Sequence, residues 1–313
     1  MRVLVTGATG FVGRALVPAL EQHGMDVRPA LRWLHNRFSG GYVVGEVGPQ
    51  TDWKKALQDV DIVVHLAARV HVLQESSADP LVEFRRTNTA GTERLAHQSA
   101  AAGVKRLVYV STIKVNGEET FGEERFTAED IPSPSDPYAV SKWEAESALR
   151  RISRDTGMEV VIVRPPLVYG PGVRGNLALL ARWISKGIPL PLGRVTTNRR
   201  TLIGIDNLTD LLVMCAIKEE AANRVFLAGD SEDLSTVDLL RLIGRALGRR
   251  PRLLPVPTPI VKGAGALLGK QDIVRRLCGS LRVDNSYARR VLGWEPGVPV
   301  EEGMIRAFRG VFG

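Results

Sequence analysis

The chain is poor in cysteine: Cys215 and Cys278 are the two thiols in 313 residues. They make no CxxC pair, which excludes a zinc framework and a disulfide scaffold; they read as buried free thiols of a reducing compartment. No metal site is expected. Aromatics are sparse at 6%. With no zinc finger, basic zipper or aromatic-basic RNA signature, nucleic acid is excluded as a partner. No apolar run approaches the roughly 20 residues that span a bilayer. The N-terminal run Val3-Leu4-Val5 gives way at once to glycine, too short for a signal peptide. These absences predict a cytoplasmic protein with no integral membrane segment. Hydrophobic residues at 44% and charged residues at 24% are ordinary for a globular chain long enough to need no staples.

Acidic residues are scarce in one stretch. From Leu240 to Gly313 there are 14 Lys+Arg against 5 Asp+Glu, so the formal net charge of +8 lies wholly in the last quarter. That quarter reads as a solvated basic face, or as a surface for an anionic ligand or membrane. Peripheral contact of the second kind predicts salt-sensitive binding to anionic vesicles.

What is present is an alternation. Val3–Val5, Val27–Ala30, Ile62–Leu66, Leu107–Val110 and Val160–Val163 are short Val/Ile/Leu-rich runs. They read as parallel strands covered on both faces. Between them Phe11–Gln22, Asp79–Ala102 and Asp136–Asp155 read as helices. Strand and helix in repetition predict an α/β fold with a doubly wound parallel sheet. Beyond the turn cluster Tyr169-Gly170-Pro171-Gly172 strands are scarce, with Val225–Leu227 a candidate. Ser235 to Asp238 reads as a capping box opening a helix that ends near Gly248; Pro251, Pro255, Pro257 and Pro259 then break the chain. Asp284 caps a short helix ending at Gly293, and a last helix runs from about Val300 to Phe308. The expected division is a dinucleotide-binding unit at 1–170 with about 201–229, and a smaller, mostly helical substrate unit at 171–200 and 230–313.

Gly7, Gly10 and Gly13 lie between the first strand and a helix opening at Phe11 and Val12. Glycines there let the backbone approach a pyrophosphate, and the helix N-terminus supplies free N–H groups. The spacing is GxxGxxG rather than GxGxxG, so the strand–turn–helix context carries the inference. The second strand, Val27 to Ala30, has no carboxylate at its end to take a ribose 2′-hydroxyl; Arg32 stands there instead. A cation suits a 2′-phosphate, which favours NADP(H) and leaves NAD(H) possible. Glu46, placed at the end of the next short strand, is a candidate for the adenine amine.

Tyr138 and Lys142 stand four apart on one helix face. A nearby ammonium favours tyrosinate and makes Tyr138 a usable acid/base; Lys142 also reaches a nicotinamide ribose. Ser111 and Thr112 end the Leu107–Val110 strand, where α/β sheets place their chemistry. With the glycine turn and Leu66-Ala67-Ala68, Asn88-Thr89-Ala90-Gly91-Thr92, Arg164-Pro165-Pro166, Asn176-Leu177, Arg200-Thr201 and Asp284-Asn285-Ser286, these residues resemble the extended short-chain dehydrogenase/reductase family over essentially the whole chain. The resemblance implies a Rossmann-type fold. It implies Tyr138 as acid/base, Lys142 as its partner, and Thr112, with Ser111 beside it, as the hydroxyl near the sugar O4. Leu66, Ala67 and Ala68 would line the cofactor, with Asn88 supporting them. Asn176 and Arg200 would hold the diphosphate of a UDP-sugar, and one or both of Arg275 and Arg276 are further candidates. A homodimer through the helices Asp79–Ala102 and Asp136–Asp155 is also implied.

Departures from the family pattern sort the reactions. Where 4,6-dehydratases carry Asp-Glu after the strand-end threonine, this chain has Ile113-Lys114, which argues against a dehydratase. Val115-Asn116-Gly117 replaces Val-Tyr-Gly and leaves the sugar pocket's shape open. A 4-reductase with exchangeable NAD(P)H and a 4-epimerase with tightly held NAD remain, and Arg32 favours the reductase. Val60–Val72, Asn198–Leu212 and Leu277–Trp294 resemble the bacterial surface-polysaccharide (O-antigen) branch that reduces UDP-4-keto-6-deoxy-N-acetylglucosamine. A non-catalytic NADP(H) sensor on the same fold is the reading of another class; retention of Tyr138, Lys142 and Thr112 argues against it.

Overall fold

In the computed structural model, residues 1–36, 38, 40–70 and 79–309 are described. The end of the Val60–Val72 segment and residues 310–313 lie outside them. The chain opens with β1 (Arg2–Thr6), α1 (Phe11–Gln22), β2 (Asp26–Leu31), β3 (Tyr42–Val43) and β4 (Ile62–His65). It continues through α2 (Pro80–Phe84), a π-helical turn at Arg85–Ala90, α3 (Gly91–Ala101), β5 (Arg106–Val110), α4 (Pro137–Thr156) and β6 (Glu159–Arg164). Then come β7 (Leu167–Tyr169), α5 (Asn176–Ser185), β8 (Arg200–Gly204), α6 (Ile205–Ile217) and β9 (Val225–Leu227). The last elements are β10 (Asp233–Leu234), α7 (Thr236–Ala246), α8 (Thr258–Leu267), α9 (Gln271–Cys278), α10 (Ser286–Leu292) and α11 (Val300–Phe308).

Seven strands pair in the order β3-β2-β1-β4-β5-β6-β9, every pair parallel. This is the Rossmann-like α/β sheet that the alternation predicts. All four residues of β4 are buried. Period-2 alternation divides the strand residues between two layers. Val3, Val5, Val64, Val108 and Val163 pack with Leu16, Leu20, Leu208 and Leu212 of α1 and α6. Leu4, Val63, Leu107, Tyr109 and Ile162 pack on the other face with Leu95 of α3 and Leu149 of α4. Chain order reverses between β1 and β4, so the crevice of the switch point opens at their carboxyl ends.

The helix predicted over Asp79–Ala102 starts where expected, with Asp79 Oδ1 accepting from the N–H groups of Leu81 and Val82 at 3.0 and 3.3 Å. It is not one helix, however. The π-helical turn widens it and buries Asn88, which a regular repeat does not anticipate. The helix predicted over Asp136–Asp155 forms as α4, capped by Asp136, opened by Pro137 and closed by left-handed Gly157.

The second half departs further from expectation. It holds a small sheet, β10-β8-β7, whose strands of two to five residues are too short to show a period. β7, β8, α5, α7 and α11 close a third core around Leu180, Leu202, Leu240, Ile243, Met304 and Phe308. Pro259 does not break the chain; it lies in the first turn of α8, where its missing N–H costs nothing. Ser235 caps α7 as predicted, its Oγ accepting from the Asp238 N–H at 3.1 Å. Asn285 holds the N-cap position of α10 without a capping bond, and it is Asp284 Oδ1 that accepts from the Ser286 N–H, at 2.8 Å. Both cysteines are buried and free. Among the described residues no helix is long and apolar enough to cross a membrane, and no group of side chains is arranged to hold a metal ion.

Candidate active site

The glycine turn stands at the crevice. Gly7 has φ of +68°, and a Cβ there would lie 2.8 Å from the Ala67 nitrogen, so both conformation and packing demand glycine. The Gly10 N–H bonds the Gly7 carbonyl at 2.9 Å and closes the turn. A Cβ on Gly13 would lie 2.3 Å from that carbonyl, so α1 rests directly on the turn. Gly10 caps α1 with no side chain, and the first turn, Phe11-Val12-Gly13, carries no acid. A positive helix end with uncovered N–H groups in a cradle that any Cβ would fill fits a dinucleotide pyrophosphate.

A buried triad ties β1 to β4 beneath this turn. Thr6 Oγ1 accepts from the Leu66 and Ala67 N–H groups at 3.2 and 3.1 Å, so the N–H groups of these two cofactor-lining candidates point inward. With both lone pairs so engaged, the Thr6 hydroxyl is left to donate to His65 Nδ1 at 2.6 Å, which puts the ring proton on Nε2, 2.9 Å from Thr92 Oγ1. Burial, aided by the Lys142 charge, pushes the His65 pKa down to about 3. His65 is therefore neutral in the fold but protonates near 6.5 when unfolded. Its contribution to stability is complete above pH 6.5 and is lost as the pH falls from there toward 3. A His65→Gln chain is expected to show a flatter fall in urea midpoint over that window; equal slopes in both chains would refute this.

Arg32 leaves the sheet beside the turn, because β1 and β2 pair with Thr6 opposite Ala30. It is exposed, and its recorded contact is with the Trp33 ring at 6.0 Å. Glu46 does not end a strand as expected. β3 stops at Val43, and Glu46 follows a left-handed Gly45 as an exposed loop acid whose carbonyl accepts from Thr51. Ala68 is half-buried beyond β4. Asn88 supports that loop: its Oδ1 accepts from the Arg69 N–H at 2.8 Å, and its Nδ2 donates to the Arg69 carbonyl and to Ser141 Oγ, both at 3.0 Å. Ser141 Oγ in turn donates to the Tyr138 carbonyl at 2.7 Å. Asn88 thus braces the helix that carries Tyr138 and Lys142.

Lys142 is buried, with Nζ donating to the Val110 carbonyl at 2.7 Å and lying 4.1 Å from the centre of the Tyr109 ring. That bond clamps α4 onto the carboxyl end of β5, two residues before Thr112. Burial pulls the Lys142 pKa down to about 7, with Glu146 opposing. The expected depression of the Tyr138 pKa by Lys142 is not found. Burial and the Asp136 charge push the Tyr138 hydroxyl well above its usual range. Tyr138 packs edge-on against Phe84 at 5.9 Å. Thr112 Oγ1 accepts from the Lys114 N–H at 3.4 Å. Ser111 Oγ is buried without a hydrogen-bond partner among the described residues.

The structure adds residues that spacing does not flag. Lys114 pairs with Asp136, the cap of α4, and with Glu118 at 3.1 Å. Glu118 also pairs with Arg275, which bonds Asp272 at 2.9 Å. Arg275 is thereby engaged, whereas Arg276 lies near enough to Arg200 for their like charges to interact. Burial lowers the Arg200 pKa most, and Arg276 lowers it further against the opposing Glu119 and Glu118; a guanidinium stays charged all the same. Arg200 Nη1 reaches the Gly279 carbonyl at 3.3 Å. Two cations held together in a half-buried place fit a diphosphate. Asn176 opens α5, exposed, and no hydrogen bond joins it to Arg200. Asn116 turns inward: its Oδ1 accepts from Arg164 at 2.9 Å and its Nδ2 donates to the Thr127 carbonyl at 2.7 Å. It anchors a loop and leaves its side chain unavailable to a sugar.

Residues 3–229 match the model of the NAD dependent epimerase/dehydratase family. A UDP-glucose 4-epimerase of Vibrio cholerae is 46% identical over 303 residues, covering 96% of this chain and 92% of the relative. A 2-alkyl-3-oxoalkanoate reductase of Stenotrophomonas maltophilia is 28% identical, covering 98% of each chain. Among solved structures, MoeE5 in complex with UDP-glucose and NAD superposes with a TM-score of 0.79 at 25% identity, covering 98% of this chain and 97% of that one.

Proposed function

Because the chain belongs to the NAD dependent epimerase/dehydratase family, whose members use NAD(P), we propose that it moves hydride at C4 of a UDP-sugar. The observation that carries this is the Lys142–Val110 bond of 2.7 Å, which holds α4 at the carboxyl end of β5, two residues before Thr112, with Tyr138 one turn earlier on the same helix. The dinucleotide, when bound, supplies or accepts the hydride. Tyr138 Oη exchanges a proton with the sugar O4, and Thr112 Oγ1 hydrogen-bonds the same oxygen. The Lys142 ammonium stabilises negative charge that develops nearby. Arg200 and Arg276 neutralise the diphosphate, with Asn176 as a further contact from α5.

Of the two directions, we favour reduction of a UDP-4-keto-6-deoxy-HexNAc by NADPH. Arg32 stands exposed at the end of β2 where an NAD site places a carboxylate. Burial keeps Tyr138 protonated, which is the state from which a reductase starts. The second reading is a UDP-sugar 4-epimerase, supported by the Vibrio cholerae relative of that name at 46% identity. There Tyr138 begins as the base and returns its proton after the sugar has turned.

Cofactor content separates them. The purified protein is expected to release little nucleotide on denaturation and to bind NADPH more tightly than NADH. Arg32→Ala should weaken NADPH about tenfold, a loss of roughly 1.4 kcal/mol, with NADH nearly unchanged. Stoichiometric NAD⁺ surviving purification would overturn the reductase in favour of the epimerase.

A further inference from the structure

The outer face of α8 is apolar and uncovered. Ile260, Gly263, Ala264 and Leu267 recur at the spacing of one helix face, and all are exposed. Ile260 is 60% exposed, Leu267 90%, and Leu268, just past the helix, 72%. The opposite side is packed: a Cβ on Gly265 would lie 2.3 Å from Val274 Cγ2 of α9. The only charged side chain on α8 is Lys262. A helix that buries a glycine and exposes its leucine is not explained by the core of its own chain.

The surroundings carry one sign of charge. Between Asp238 and Asp272 the sequence holds no Asp or Glu, but it holds Arg241, Arg245, Arg249, Arg250, Arg252, Lys262 and Lys270. Arg241 and Arg245 have exposed acidic partners in Asp238 and Glu301. Among the described residues Arg249, Arg250, Arg252, Lys262 and Lys270 are exposed and in no ion pair. At the end of α7 a hollow of about 410 Å³ is lined by Arg241, Arg245, Arg249 and Arg250. The 251–257 segment links this hollow to α8.

We propose that the α8 face from Ile260 to Leu268 docks on an anionic lipid surface, with Lys262, Lys270 and the arginines of 249–252 as its electrostatic part. Leucine and isoleucine enter the headgroup–acyl boundary while lysine and arginine pair with lipid phosphates. Charge decides against a second copy of the chain as the occupant. A two-fold contact through this face would set the same unpaired cations against each other. The proposal stands apart from the catalytic reading, since none of these residues belongs to the site.

The test is co-sedimentation of the full chain with vesicles of phosphatidylcholine containing roughly 30% phosphatidylglycerol, and with phosphatidylcholine alone. Binding is expected to the anionic vesicles at about 50 mM salt, with a loss of about tenfold or more at 0.5 M salt. Leu267→Ser/Leu268→Ser and Lys262→Glu/Lys270→Glu are each expected to weaken it about tenfold, without change in thermal midpoint or cofactor affinity. Wild-type chain left in the supernatant at low salt would overturn the proposal. So would undiminished binding by the serine variant, which would leave only diffuse charge attraction. A drop in the sedimentation coefficient of that variant would show that the face covers a second copy, and would overturn it as well.

Discussion

Tyr138→Phe is expected to lower turnover about 10²- to 10⁴-fold, the range for loss of a positioned acid/base, or roughly 2.7–5.4 kcal/mol of transition-state stabilisation. Cofactor affinity should change less than about twofold, because the ring and its contact with Phe84 at 5.9 Å survive the substitution. The measurement is single-turnover hydride transfer at 340 nm with UDP-4-keto sugars, beside a titration of NADPH. Wild-type turnover in the phenylalanine chain would remove Tyr138 from the chemistry. The pH profile is a second handle. With Tyr138 held protonated by burial and by Asp136, and the Lys142 pKa pulled down to about 7, reduction should fall as the pH rises through neutrality and Lys142 loses its charge. A profile rising with pH would point to the tyrosinate that an epimerase needs first.

Glu146→Ala is expected to be the most damaging single change to stability. Arg164 and Glu146 are both buried, 1% and 0% exposed at their side chains, and form a two-point bond at 2.9 and 2.6 Å. Arg164 also donates to Asn116 at 2.9 Å. Removing the carboxylate leaves a guanidinium in a dry core, which costs about 3–5 kcal/mol. Removing both charges does not: Glu146→Leu with Arg164→Met should recover most of the loss, since the desolvation cost leaves with the ions. Urea unfolding of the single and double variants measures both. A loss under about 1 kcal/mol for Glu146→Ala would mean that water reaches the pair. The pair joins α4 to β6 and, through Asn116, to the turn after Thr112. Its loss should therefore also loosen the geometry of Tyr138.

Six of the seven strands of the large sheet were legible because each is a short apolar run between turn residues, β3 being the exception at two residues, and β9 and α11 appear where those signals place them. Gly7, Gly10 and Gly13 were legible because their meaning is local: a left-handed Gly7 and a helix seated on its carbonyl belong to one turn. Tyr138 and Lys142 were legible as a helix pair. The small sheet was not, since β7, β8 and β10 owe their pairing to partners 32 to 35 residues away. The π-helical turn was not either. It follows from what Asn88 bonds, Arg69 and Ser141, rather than from the sequence around it.

By itself, the sequence determined most of the large sheet and its helices, the glycine turn and the types of residue available for chemistry, because these depend on neighbours within a turn or two. Only the tertiary structure decided how those residues are used. It set Lys142 against the Val110 carbonyl and buried Tyr138, which pushes that hydroxyl well above its usual range. It gave Arg275 to Glu118 and left Arg276 beside Arg200. It turned the N–H groups of Leu66 and Ala67 toward Thr6, and made His65 neutral by enclosing it. Charge state and hydrogen-bond partner depend on dielectric and on distances across the fold, and no local pattern encodes either.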